Sequence, residues 1–442
     1  MHKWRPNAVT ILIAAYAVLL CAVLPLTPLW LDEIQQLAPG RESWPALIEW
    51  IQTNPGGVPL PYVEQRGFIA LLGHSVFVAR LPAALCSIAG AVVFALLCAR
   101  LGIRKRAWAT ALFLILPLQF RYALEARGYS QGLLCALLSL WLFLRARDRG
   151  TAASAALWGA SVVVGLYSQP LTILPVMGEL LWLIGQHDVP SRTKRVILGA
   201  TLVGVLAFVP WCVAERHTQA RFSSMSHYFF SWRQITPLTF LHELSGGGYL
   251  CTVALLFAAG AGMVSRSALR HRQLLLAIAL GGLAGPIAMD ALANYFFAAR
   301  QLLFAAPALV LCAAAGTQSL RARAGQAALL AFLGAAAFRD YRLATLPKDG
   351  FGAQARVLAQ LPADTCVAVA PPGQATYYLY LRPELRTKIC GEPAGEPHVV
   401  AVMSPYSTAA ERSQLTGMLE RSHHRTALLE SGSGEILEYE KR

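Results

Sequence analysis

Charge is what this chain has least of. Only 14% of its 442 residues are Asp, Glu, Lys or Arg, while 56% are hydrophobic. A soluble chain of this length needs far more polar surface. The mean hydropathy of +0.48 therefore excludes a soluble globular protein and points to a polytopic membrane protein. Internal repeats and low-complexity tracts are also missing. So are the Walker and dinucleotide glycine patterns, which leaves a soluble nucleotide-linked donor without a phosphate cradle. Gly73-His74-Ser75-Val76-Phe77 lacks the closing glycine of a nucleophile elbow. Leu244, Ser245 and Gly246 follow His242-Glu243, so the histidines His217, His227 and His242 form no zinc-helix pattern. The first apolar stretch is too long for a signal-peptide core and lacks a small-residue cleavage site, so it reads as a retained helix.

The charges that are present lie in a telling order. From Arg339 onward 12 basic and 12 acidic residues cancel, so the net charge of +14 belongs to residues 1–338. There, seventeen Lys and Arg fall in six short clusters: Lys3/Arg5, Arg100–Arg106, Arg145–Arg149, Arg192–Arg195, Arg266–Arg272 and Arg321/Arg323. Short basic loops between apolar spans follow the positive-inside rule rather than marking a nucleic-acid surface. Apolar spans are predicted at 8–28, 80–99, 107–120, 129–144, 152–167, 170–186, 196–213, 249–264, 273–289, 301–316 and 325–338. Eleven crossings that start inside put every basic cluster in the cytoplasm. They leave Asp32, Glu33, Glu42, Glu49, Glu64, Glu125, Glu215, Glu243 and Asp290 outside.

Two domains are expected: a membrane module over 1–338, whose outer loop 29–79 carries Asp32-Glu33, and an outer α/β domain over 339–442. Within the loop, 42–52 places Trp44, Leu47, Ile48 and Ile51 on one helical face, as a helix lying on a membrane surface would. Residues 59–73 read as a second surface or re-entrant helix, because Glu64 and Arg66 make it a poor span. A further outer loop at 214–248 has Tyr228, Phe229, Phe230 and Trp232 to suit an interfacial belt. In the C-terminal part, 366–371, 386–390 and 398–404 are predicted strands. The stretches from Gly352 and Thr408 are amphipathic helices, and the end reads as a hairpin turning at Ser-Gly-Ser-Gly. Seven of nine cysteines sit in or beside apolar spans; Cys366 and Cys390 lie in the outer part, where an oxidising compartment permits a disulfide but does not require one.

Asp32-Glu33 is the most informative pair. Two adjacent carboxylates follow the first span at the outer surface, where a membrane transferase would place a catalytic base. The order of smaller motifs then adds to it: Pro59-Leu60-Pro61-Tyr62, Gly73-His74-Ser75, Ala79-Arg80-Leu81-Pro82, Arg121-Tyr122-Ala123-Leu124-Glu125-Ala126-Arg127-Gly128-Tyr129, and Tyr295 through Arg300 to Pro307. In that order the chain resembles the GT-C glycosyltransferases, in the branch of protein O-mannosyltransferases and lipid A aminoarabinose transferases. The family's usual His-Pro-Pro-Leu is here Gly57-Val58-Pro59-Leu60, without the His.

The resemblance implies an all-α polytopic membrane bundle of GT-C type, with about eleven transmembrane helices and a small C-terminal periplasmic α/β domain in the bacterial inner membrane. It implies a polyprenyl-phosphate-linked sugar donor, a lipid, glycan or protein acceptor, and inverting transfer on the outer face. Such a reaction needs a carboxylate to take the acceptor's proton and cations to receive the leaving phosphate. Asp32 is the candidate base, with Glu33 orienting it or the acceptor. Arg127, Arg121 and Arg300 are the candidate phosphate ligands, although arginines at span ends also serve as interfacial anchors. Glu64, Tyr62, Arg66 and Tyr129 are candidate acceptor or donor contacts; Glu64 also fits an exposed position on a surface helix. Arg80 reads as structural, and Glu179, alone among acids inside a span, as a buried structural partner. No cofactor is implied, and a divalent metal stays open. The rival reading is a transporter or flippase of a lipid-linked glycan. That reading calls for midplane polar residues and repeat symmetry, neither of which the sequence shows.

Overall fold

The computed structural model describes residues 7–53, 57–215, 236–264, 271–293, 298–319, 322–431 and 434–442. His217, His227, the aromatic run from Tyr228 to Trp232, Tyr295 and the basic residues Lys3, Arg5, Arg266, Arg270 and Arg321 lie outside the described residues, as does the centre of the Ser-Gly-Ser-Gly turn. The chain forms two compact units. One holds residues 1–25 and 42–344; the other joins 26–41 to 345–442. The expected outer loop 29–79 is thus divided, and its acidic segment belongs with the C-terminal part.

The larger unit is helical throughout. Among the described residues four helices are long and apolar enough to cross a membrane: Val76–Arg100, Tyr129–Arg149, Ser191–Ala214 and Arg272–Leu292. Shorter apolar helices include Ala8–Val23, Ala152–Ser168, Gly248–Val264 and Ala306–Thr317. Only 17% of the apolar window of Ser191–Ala214 is buried, although its mean hydropathy is 2.3. Side chains such as Leu202, Val203 and Leu206 face outward, which water would penalise and lipid does not.

Local chemistry sets the helix ends. Ser75 and Thr151 accept the N–H groups of Val78 and Ser154 at the starts of Val76–Arg100 and Ala152–Ser168. Gly150, at φ 62°, closes Tyr129–Arg149 in the left-handed region. The predicted span 107–120 is instead two helices, Arg106–Leu114 and Pro117–Ala123. Pro117 supplies no N–H and pushes Leu116 out of helical geometry, to ψ 116°. Small residues bring helices together elsewhere: a Cβ on Gly316 would meet the Ala258 carbonyl oxygen at 1.7 Å.

Two groups of buried polar side chains in this unit are bonded together. Gln119 Nε2 donates to Ser87 Oγ at 2.6 Å and to the Tyr16 hydroxyl at 3.2 Å. Glu179, fully buried, accepts from Ser139 Oγ and from Trp158 Nε1, each at 3.0 Å. That is the structural partnership expected of it.

The smaller unit carries a four-stranded sheet. Strands β1 (Cys366–Ala370), β2 (His398–Met403), β3 (His423–Ser431) and β4 (Gly434–Lys441) lie in the order β1-β2-β4-β3. The β1–β2 pair is parallel, and β4 is antiparallel to both β2 and β3. Helices Phe351–Gln360 and Ala409–Leu419 fall where the amphipathic patterns place them. The predicted strand 386–390 does not form. Pro383–Thr387 is a short 3₁₀ turn, and only Ile389 bridges to Val367. The reason is Lys388, whose ammonium turns inward to the Leu358, Ala359 and Leu361 carbonyls at the end of Phe351–Gln360. Cys366 and Cys390 form a disulfide beside this bridge.

Candidate active site

Tyr129 opens the helix Tyr129–Arg149, and the chain just before it bends tightly, with Arg127 N–H bonded to the Glu125 carbonyl at 2.7 Å. This bend aims two tyrosine rings at each other: the Tyr122 and Tyr129 centroids lie 4.7 Å apart. Three guanidinium groups surround the pair. Arg121 lies 5.6 Å from the Tyr122 ring centre, Arg127 lies 5.8 Å from that of Tyr129, and Arg300 lies 5.9 Å from the same ring. Arg300 comes from the 3₁₀ turn Ala299–Phe304, far along the sequence. A ring face attracts a cation without using its N–H donors, so stacking gathers like charges. Arg121 Nε also donates to the buried Glu125 carboxylate at 3.1 Å. Glu125 is a residue to which the sequence assigned no role.

Two glycines allow this convergence. A Cβ on Gly128 would meet Pro61 Cγ at 2.6 Å and the Ser168 carbonyl oxygen at 2.8 Å. The Pro-Leu-Pro-Tyr element therefore sits directly on the arginine loop. A Cβ on Gly132 would meet Gln169 Cβ at 2.7 Å and the Phe304 ring at 3.3 Å, which seats the Arg300 turn on the next helical turn. Three motifs widely separated in sequence thus meet at one place.

The remaining bundle candidates are placed differently. Tyr62 is buried with Leu47 and Ile51, the inner face of the helix Trp44–Thr53. Trp44 and Ile48 of that same helix stay exposed. Arg66 donates to the Glu42 carbonyl at 2.7 Å and lies over the Trp44 ring at 4.3 Å, so it clasps the surface helix. Glu64 is half-buried on Pro59–Leu72, and burial pushes its carboxyl above the usual range. Arg80 is 2% exposed and donates to the Leu24 carbonyl at 2.8 Å, which gives its structural reading a specific partner. His242 and Glu243 are bonded at 2.8 Å. Among the described residues no group of three or more His, Cys, Asp or Glu side chains gathers as a metal site would.

Asp32 and Glu33 open the seven-residue helix Leu31–Leu37 in the smaller unit. Both sit in the first turn, where a helix favours negative charge. They are not equivalent. Glu33 is fully buried, and its Oε2 accepts the Trp30 N–H at 3.3 Å. Asp32 keeps partial exposure. Asp349, to which the sequence assigned no role, lies close enough to both that their charges act on its carboxyl. Tyr406 feels the charges of Asp349 and Asp32 and stacks on Phe351.

Residues 55–213 match the family described as dolichyl-phosphate-mannose-protein mannosyltransferase, a segment that includes Arg121 and Arg127 but neither Asp32 nor Arg300. The crystal structure of ArnT from Cupriavidus metallidurans in the apo state superposes with TM-score 0.65 at 14% identity, covering 97% of each chain. The same protein bound to undecaprenyl phosphate gives 0.61 at 13% identity, again over 97% of each. A cryo-EM structure of the arabinofuranosyltransferase AftD from Mycobacteria gives 0.56 at 17% identity over 97% of this chain, which spans 41% of that one. A search of curated proteins gives no match. Residues 55–213 are thus similar to the protein mannosyltransferase family, and the chain as a whole shares the fold of ArnT.

Proposed function

We propose that this protein is an integral membrane glycosyltransferase that moves a sugar from a polyprenyl-phosphate donor to a lipid, glycan or protein acceptor. Transfer takes place on the outer face of a bacterial inner membrane, with eleven crossings and the C-terminal domain in the periplasm. One observation carries the reading: Arg121, Arg127 and Arg300, from two distant stretches, converge on the Tyr122–Tyr129 pair. A polyprenyl-phosphate sugar leaves as a phosphate monoester, whose developing charge calls for such a cluster. ArnT, which shares the fold, has been seen with undecaprenyl phosphate. The disulfide Cys366–Cys390 supports an oxidising compartment for the small unit.

In this reading the arginines hold the donor phosphate and neutralise it as the glycosidic bond breaks. The acceptor hydroxyl or amine gives its proton to Asp32 as it attacks the anomeric carbon from the face opposite the phosphate, so configuration inverts. Asp32 takes this role rather than Glu33 because the Glu33 carboxylate is buried and turned onto its own helix. Mass spectrometry of envelope lipids and glycans tests the assignment in wild-type, deletion and Asp32→Asn strains at matched expression. Loss of one sugar-modified product in both mutants, with donor accumulating, supports transfer and identifies sugar and acceptor together. A wild-type profile from Asp32→Asn beside a deletion phenotype removes Asp32 as base and revives the transporter reading.

A further inference from the structure

The N-terminus of Leu31–Leu37 is held by a side chain 318 residues away. Asp349 Oδ2 accepts the Leu31 N–H at 2.8 Å, and its Oδ1 accepts the Phe351 N–H at 3.2 Å. The Leu31 N–H is one of the four at a helix start with no partner inside the helix. Residue 30, where a capping side chain normally sits, is Trp, which cannot accept a hydrogen bond. Asp349 supplies the missing acceptor.

Other contacts in the same unit tie the acidic segment to the C-terminal part around this point. The Lys348 ammonium lies 5.1 Å from the Trp30 ring centre, and Gln35 Nε2 donates to the Tyr377 hydroxyl at 2.9 Å. Arg41 stacks over Tyr380 at 4.0 Å. A Cβ on Gly352 would meet Pro28 at 2.6 Å, so the backbones there approach closely.

We propose that Asp349 is a positioning residue for sugar transfer: its ionised carboxylate caps and orients the short helix that carries Asp32 and Glu33. The proposal rests on Asp32 being the base and extends that reading to the residue that places it. An ionised carboxylate only accepts. Once protonated, one of its oxygens becomes a donor facing an N–H, and one of the two capping bonds is lost. The groups that face Asp349 are Asp32 and Glu33 from the short helix, Tyr378 and Tyr406 from the C-terminal part, and its neighbour Lys348. Burial first, and then the charges of Glu33 and Asp32, push its carboxyl up to about 6 against the pull of the two N–H groups. A carboxyl raised above its ordinary value is penalised by the fold when ionised. The cap is therefore complete above about pH 6 and is lost as pH falls through that value.

The test uses the full chain in lipid nanodiscs. Hydrogen exchange is read by mass spectrometry over residues 26–41 between pH 5 and 7.5, corrected for the intrinsic pH dependence of exchange. In wild type, protection at Leu31 should fall about tenfold or more across pH 6, the size expected for one hydrogen bond to a charged acceptor. Asp349→Asn should lose that protection at every pH and flatten the profile. Its envelope product should drop by a similar factor at unchanged membrane level, and Asp349→Glu should recover part of both. Protection and pH profile in Asp349→Asn equal to wild type overturn the proposal. So does lost protection with undiminished product when Asp32→Asn abolishes it. Wild-type product from Asp32→Asn overturns the base assignment instead, whatever the exchange shows, so the two failures are distinguishable.

Discussion

The arginine cluster and the carboxylate group solve opposite electrostatic problems by different means. In the bundle, three cations gather on two tyrosine rings, whose faces attract charge without taking hydrogen bonds. In the small unit, acids gather on backbone N–H groups: Glu33 on Trp30, Asp349 on Leu31 and Phe351. The first arrangement gathers positive charge without spending N–H donors on the rings, which suits an anion such as a phosphate. The second uses carboxylate oxygens as acceptors for the fold. Positive charge is thus gathered in the bundle, while in the small unit Asp349 spends both carboxylate oxygens on backbone N–H groups.

The sharpest way to break this contrast is to exchange the acids. Asp32→Asn should lower transfer by about 10²–10⁴-fold, the range for a positioned general base. Glu33→Gln should keep far more activity and lose stability instead; product yield and limited proteolysis of the two variants separate the roles. Next in size, Arg127→Ala and Arg300→Ala should each weaken donor binding about 10–100-fold, as loss of a charged hydrogen bond would. Tyr129→Phe keeps the ring and should behave like wild type, whereas Tyr129→Ala should reproduce both arginine losses. Titration with a synthetic polyprenyl phosphate reads these affinities. Gly128→Ala puts a methyl group against Pro61 and the Ser168 carbonyl. About 1–3 kcal/mol of strain should result, with a lower Tm and weaker donor binding together. The smallest effect belongs to Arg66→Ala. It loses one bond and one ring contact on the surface helix, should cost about 1 kcal/mol or less, and should leave transfer unchanged.

Much of this was legible in the sequence because the bilayer leaves few solutions. Among the described residues the four helices long and apolar enough to cross a membrane overlap predicted spans, and Glu179 is buried and bonded to Ser139 and Trp158. The three arginines stood out because they occur in an ordered set of motifs. What the sequence hid depends on contacts between distant residues. Asp349 sits in Lys-Asp-Gly-Phe, which reads as an ordinary turn, and nothing local shows that its acceptors serve Leu31. The predicted strand 386–390 was lost to a lysine that found better partners at a helix end. The span 107–120 has the composition of one helix, but Pro117 divides it.

The dependence of residues 26–41 on residues 345–442 has a consequence for how the protein comes into being. A ribosome makes Asp349 more than three hundred residues after Asp32. Until that later stretch has been translated and folded, the helix Leu31–Leu37 has neither the Asp349 acceptor nor the Tyr377 hydroxyl that Gln35 bonds. A chain released before Asp349 would carry the acidic segment without the contacts that hold it. Order at residues 26–41 would then arise only after residues 345 onward have been made.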